Sequence, residues 1–171
     1  IPSAMCRLVD LPPDVPGRLY LHSMPGRYEP YQATVDAVRM RGISQVVCLT
    51  ALEEIEGKAP DYARAVRRKD VPWQQRVYPI VDYGVPSDRA SFLELVNSIA
   101  ADLRRGVNIL LHCAAGIGRT GTVASCVLVA LGLTANEAAR RVKVAGSYAE
   151  RPEQVELIQW VASQVAPSGR I

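Results

Sequence analysis

Histidine is the scarcest chemistry-bearing residue in this 171-residue chain, with only two present, and phenylalanine occurs once. Neither the histidines nor the four cysteines fall at metal-ligand spacings, so no metal and no other cofactor is expected. No apolar run approaches the roughly 20 residues that span a bilayer, so no membrane partner is expected. The formal net charge of +3 lacks the basic excess that nucleic-acid binding demands. Internal repeats and low-complexity tracts are missing, and so is the Gly-Lys-[Ser/Thr] of a nucleotide-binding loop. Four scattered cysteines fit reduced thiols better than a disulfide framework, which points to a cytoplasmic compartment. The chain begins at Ile1 without a methionine, and the part present shows no signal peptide.

What is there reads as one globular domain, 49% hydrophobic and 22% charged. Residues 1–17, rich in proline, are expected to lie extended along a domain spanning 18–165, with 166–171 as a tail. Short strands are predicted at Arg18–His22, Ile43–Thr50, Trp73–Ile80 and Gly106–Leu111, the third burying Val77, Tyr78 and Ile80. Helices are predicted at Tyr31–Arg41, Asp61–Lys69, Arg89–Arg104, Thr122–Leu133, Thr134–Val144 and Pro152–Val165. Val35, Val38 and Met40 lie on or near the apolar side of the first helix, and Val155, Ile158 and Val161 on that of the last. A capping box is expected at Thr134–Glu137. Glu53–Gly57 reads as a solvated acidic loop or short turn. Alternating strands and helices imply an α/β fold with a mainly parallel central sheet of four to five strands, flanked by helices.

The chain is organised around His112-Cys113-Ala114-Ala115-Gly116-Ile117-Gly118-Arg119-Thr120-Gly121. A buried strand precedes it and a buried helix follows, so the stretch is a strand-to-helix turn. Backbone N–H groups at a helix N-terminus make a nest for an anion. Such a nest and a nearby guanidinium also favour a thiolate over a thiol at Cys113. Arg119 can bind two oxygens of a phosphate at once. The Thr120 hydroxyl could hydrogen-bond the sulfur and make it a better leaving group. Gly116-Ile117-Gly118-Arg119-Thr120-Gly121 also fits the dinucleotide fingerprint G-x-G-x-x-G. That fold needs a second strand ending in an acid about twenty positions on, where this chain is helical.

His112-Cys113, five residues, then Arg119-Thr120 resembles the H-C-x5-R-[ST] signature of the cysteine-dependent protein tyrosine and dual-specificity phosphatases. The element order resembles that of their small single-domain members. The resemblance implies a phosphatase working through a cysteinyl-phosphate, with Cys113 as nucleophile. Residues Ala114, Ala115, Gly116, Ile117, Gly118 and Arg119 would bind the phosphate. His112 would tune the thiol through backbone groups behind the loop. Pro79-Ile80-Val81-Asp82-Tyr83-Gly84-Val85-Pro86 is similar to the family's acid loop, making Asp82 the general acid. Asp88 competes for that role, although its place before a helix suits an N-cap. Gln154 matches a glutamine that positions the hydrolytic water; its plain alternative is a first-turn helix residue.

Uncharged positions at 114, 115 and 117 favour a singly phosphorylated protein or peptide, phosphotyrosine first, over the inositol phosphates for which related enzymes line the loop with lysines. Tyr83 and Gly26-Arg27-Tyr28 could line the mouth. The rivals are an enzyme on inositol phosphates or RNA 5′ ends, a phosphoprotein-binding module, and a scaffold using the basic Arg64–Lys69 face, which reads more simply as a solvated surface. A monomer is expected. Cys48, ending a neighbouring strand, is a candidate resolving thiol for an oxidised Cys113, whereas Cys126 points into packing.

Overall fold

A computed structural model describes residues 5–165. The strands are β1 (Arg7–Leu8), β2 (Leu19–His22), β3 (Gln45–Cys48), β4 (Gln74–Val77) and β5 (Ile109–His112). The helices are α1 (Tyr31–Met40), α2 (Leu52–Lys58), α3 (Pro60–Arg68), α4 (Arg89–Arg104), α5 (Gly118–Ala130), α6 (Ala135–Val144) and α7 (Pro152–Gln164). They form a five-stranded sheet in the order β1-β2-β5-β3-β4, parallel except for the antiparallel edge strand β1. The expected α/β fold is therefore present. The extended segment before residue 18 contributes β1, and residues 1–4 and 166–171 lie outside the described part.

Strands buried on both faces read as unbroken apolar runs, because each alternate side chain needs its own core. Leu19, Leu21, Val47, Leu49, Ile109 and Leu111 enter one core with residues of α4, α5, α6 and α7. Tyr20, Val46, Cys48 and Leu110 enter a second core with Val35, Ile55 and Tyr62 of α1, α2 and α3. In this layered arrangement the C-terminal ends of β2, β3, β4 and β5 share one edge of the sheet. Their following loops gather there, as ligand sites do in open parallel sheets.

Several local expectations are corrected. Glu53–Gly57 is part of helix α2, anchored by fully buried Ile55. Val77 is exposed because β4 is the sheet's outer strand, and Met40 and Val155 also face outward. At Thr134 only half of the capping box forms: its hydroxyl accepts from the Glu137 N–H at 3.2 Å. The Glu137 carboxylate turns instead to Arg140 and Arg141. No helix of the described residues is long and apolar enough to cross a membrane. Two of the basic side chains of α3 are paired, Arg64 with Asp61 and Arg67 with Glu56, which supports a solvated surface there.

Candidate active site

Central strand β5 delivers Cys113 to the crowded edge of the sheet, and the next residues curl into α5. The curl has a defined inside and outside because the loop's carbonyls are tied away from its centre. Cys113 O bonds His112 Nδ1 at 2.9 Å, and Ala114 O accepts from the Met24 N–H at 3.1 Å. Gly116 O accepts from the Ser147 hydroxyl at 2.6 Å and from Arg7 Nη2 at 2.7 Å. Ile117 O accepts from the Gly121 and Tyr148 N–H groups at 2.8 and 3.1 Å. A planar peptide points its N–H opposite its carbonyl. The N–H groups of Ala114, Ala115, Ile117 and Gly118 therefore turn inward, while that of Gly116 reaches Cys113 Sγ at 3.3 Å.

Two glycines make this curl possible. Gly116 has φ +77°, and a Cβ there would lie 2.5 Å from the His22 carbonyl oxygen at the end of β2. A Cβ on Gly118 would lie 1.9 Å from Glu150 Oε1, so a carboxylate sits against the loop's flank. Ala115 is exposed and Ile117 half-buried, and no lysine occupies the loop.

Arg119 is 2% exposed, and its Nε is buried without a partner while both Nη atoms are engaged. Its Nη1 and Nη2 donate to Glu54 Oε1 and Oε2 at 2.9 and 2.8 Å, and Nη1 also donates to Ile80 O at 2.9 Å. Nη2 lies 3.3 Å from Asp82 Oδ1. Hydrogen bonding from Arg119 holds the Glu54 carboxyl below the usual carboxylate range, against a smaller opposing effect of burial. Glu54 was invisible to sequence reasoning as a site residue. The available signal was its place just beyond the C-terminal end of a buried strand, where a parallel sheet gathers its site.

Asp82, with a side chain 57% exposed, stands on the loop between β4 and α4 beside that guanidinium. Three contacts fix its surroundings. Tyr83 adopts φ +61°, its N–H bonded to Asp82 Oδ1 at 3.0 Å. The Arg151 guanidinium stacks over the Tyr83 ring at 4.8 Å. Gln154, fully buried at the start of α7, donates from Nε2 to Gly84 O at 3.3 Å. Its Oε1 accepts from the Glu150 and Arg151 N–H groups at 2.7 and 3.1 Å. The Gln154 amide is thus engaged in closing α7 and tethering the loop, with both ends occupied. Asp88 caps α4, its carboxylate accepting from the Ala90 and Ser91 N–H groups at 3.0 and 3.3 Å.

Behind the loop runs a directed relay. Trp73 Nε1 donates to Gln75 Oε1 at 2.7 Å, and Gln75 Nε2 donates to the Tyr62 hydroxyl at 2.8 Å. The Tyr62 hydroxyl meets His112 Nε2 at 2.8 Å, leaving Nδ1–H for the Cys113 carbonyl. His112 therefore meets the backbone behind the loop, as expected. Thr120 does not meet the sulfur: its hydroxyl is buried without a partner.

Cys48 faces away from Cys113. It pairs with His112 in the sheet, and alternation sends its side chain into the core shared with Tyr62, while Cys113 enters the other. Leu49 is the residue of β3's end that shares the face of Cys113. A disulfide between Cys48 and Cys113 would need the backbone to turn over, so the expected pairing is set aside. All four cysteines are buried and free, and burial pushes the Cys126 thiol upward. Among the described residues no three of His, Cys, Asp and Glu are grouped to hold a metal.

Residues 14–165 match the family model described as PTP-SAK: Swiss Army Knife protein, DSP-PTPase phosphatase domain. The fold is similar to kinase-associated phosphatase with its catalytic-site cysteine replaced by serine. That likeness has 20% identity and TM-score 0.73, over 86% of this chain and 87% of that one. It is also similar to Tk-PTP in the active form: 27% identity, TM-score 0.68, 90% and 99% covered. PTPMT1 in complex with PI(5)P is similar at 19% identity and TM-score 0.69, with 85% and 90% covered.

Proposed function

The chain belongs to the DSP-PTPase phosphatase family, and from that premise we propose that it hydrolyses phosphotyrosine in proteins or peptides through a phosphorylated Cys113. Phosphoserine and phosphothreonine would be secondary substrates. One observation carries the reading: a curl of inward N–H groups with a sulfur at its base and a pre-aimed guanidinium at its end. Such a cradle suits the charge that develops on transferring phosphoryl oxygens, and preorganised donors of this kind are normally the largest catalytic term.

In the first step the Cys113 thiolate attacks phosphorus and the ester P–O bond breaks. Protonated Asp82 gives its proton to the departing oxygen. In the second, Asp82 takes a proton from water, the water oxygen attacks phosphorus, and the P–S bond breaks to return the thiolate. Inward N–H groups and Arg119 hold the equatorial oxygens in both steps. Glu54 keeps the guanidinium in plane for that task. A singly phosphorylated side chain is favoured by the uncharged positions 114, 115 and 117. The Glu150 carboxylate against Gly118 would oppose a ligand bearing several phosphates.

Parallel steady-state assays on phosphotyrosine, phosphoserine and phosphothreonine peptides, an inositol polyphosphate and triphosphorylated RNA test the assignment. Phosphotyrosine should give the highest kcat/KM, acid-quenched protein should carry phosphate on Cys113, and Cys113→Ser should abolish turnover. A strong preference for the inositol polyphosphate or RNA would overturn the substrate class. Turnover surviving in Cys113→Ser would overturn the mechanism.

A further inference from the structure

Arg7, on edge strand β1 and 109 residues before Gly116 in the chain, reaches the phosphate-binding loop from behind. We infer that it is a positioning residue, holding the loop in its anion-binding shape. The inference rests on the functional reading above.

The contacts converge on one carbonyl. Arg7 Nη2 donates to Gly116 O at 2.7 Å, and Nη1 donates to Ala145 O at 2.6 Å and to Ser147 Oγ at 3.0 Å. Ser147, fully buried, passes its own proton to the same Gly116 O at 2.6 Å. The peptide that carries this carbonyl also carries the Ile117 N–H. Holding the oxygen outside holds the N–H inside, where an anion would sit. Glycine permits peptide rotations that other residues resist, so position 116 is where the loop could turn its carbonyl inward. A guanidinium is suited to prevent that, since its fork serves three acceptors and its hydrogen bonds are charge-assisted. A Cβ at Gly146 would lie 2.7 Å from Arg7 Nη1, so the turn after α6 is shaped to admit this side chain.

The brace is itself fixed. Arg7 pairs with Leu21 across β1 and β2, and the neighbouring Cys6 N–H donates to His22 Nδ1 at 3.3 Å. His22 Nε2 in turn meets Glu29 Oε2 at 3.0 Å. Burial lowers the Arg7 guanidinium from its ordinary range while the nearby Cys113 charge opposes the change, which agrees with a cation placed behind the loop. His22, which the sequence left without a role, thus ties down the strand that carries the brace.

Para-nitrophenyl phosphate turnover and orthovanadate inhibition are to be measured for wild type, Arg7→Gln, Arg7→Lys and Ser147→Ala, each with its thermal midpoint. Arg7→Gln should lose kcat on the order of ten- to a hundredfold, the size of one charge-assisted hydrogen bond. Vanadate should bind more weakly by a similar factor, KM should move less, and activity per folded molecule should fall. Arg7→Lys should recover part of the loss, and Ser147→Ala, which keeps Arg7 and its bond to Gly116 O, should show a smaller loss of the same kind. Arg7→Gln and Ser147→Ala both within about twofold of wild type in kcat and vanadate inhibition would overturn the inference alone. So would losses that only follow the folded fraction. A wild-type protein without turnover or vanadate binding would overturn the phosphatase reading first, and this inference with it.

Discussion

Glu54 and Arg119 meet in a two-pronged pair, carboxylate to guanidinium at 2.9 and 2.8 Å, across 65 residues of sequence. The pair fixes the plane of the Arg119 guanidinium, which the proposed mechanism sets against the phosphate oxygens. Glu54→Gln should therefore lower kcat/KM on the order of tenfold through lost orientation. It should also cost about 2 kcal/mol of stability, less than a fully buried pair because Glu54 keeps some contact with solvent. The pH dependence has a definite sign. The folded carboxyl lies below its unfolded value, so its contribution is complete above an unfolded pKa of about 4.3. It is lost as pH falls through the lower folded value. Urea titrations of wild type and variant from pH 7 to 3 should show their difference shrinking on acidification.

Asp82 and Asp88 separate by experiment as they do in space. With para-nitrophenyl phosphate, Asp82→Asn should remove the basic limb of the pH–rate profile and lower kcat on the order of a hundredfold. Asp88→Asn should leave that limb in place and cost at most about 1 kcal/mol, since asparagine also caps helices. A basic limb that disappears with Asp88 instead would reverse the assignment.

The Thr120 hydroxyl is buried without a partner, and the proposed mechanism would use it as a donor to the sulfur when the P–S bond breaks. Thr120→Val should fold with stability equal to or slightly above wild type, because it removes a buried, unsatisfied group. Breakdown of the cysteinyl-phosphate should slow on the order of tenfold. Stopped-flow traces would then show a burst of para-nitrophenol followed by a slow phase.

Gln154 tethers the loop that bears Asp82, through its bond to Gly84 O. Replacing it with alanine frees Gly84 O and leaves the Glu150 and Arg151 N–H groups without their acceptor. Proton donation matters most when the leaving group is poor. Gln154→Ala should thus depress kcat for phenyl phosphate more than for para-nitrophenyl phosphate. Equal effects on both would place its role in stability alone, readable as a drop in thermal midpoint.

Glu150 tests the charge preference of the mouth. Glu150→Lys should raise kcat/KM for an inositol polyphosphate relative to a phosphotyrosine peptide, by a factor of about ten for one reversed charge near the phosphate. The ratio should decline as salt is added.

Sequence alone determined the parallel sheet, the helix Arg89–Arg104 and the loop from Cys113 to Arg119, because these depend on local pattern. Unbroken apolar strands need two covered faces, and glycines beside a strand end mark a curl around an anion. Helix α2 is not legible in the sequence, since its acidic residues look solvated until Ile55 finds its core. Glu54, Tyr62, Arg7 and Ser147 became site residues only through tertiary structure, where one sheet edge and the loops above it bring distant segments together. The orientation of Cys48 belonged to the same category. Alternation in a strand puts neighbouring residues on opposite faces, so a single step along β3 decides which core a thiol enters. Short-range chemistry wrote the loop that can hold a phosphate. Long-range packing chose the carboxylate that aims its arginine and the second arginine that holds its carbonyl outward, because those contacts exist only once the chain has closed on itself.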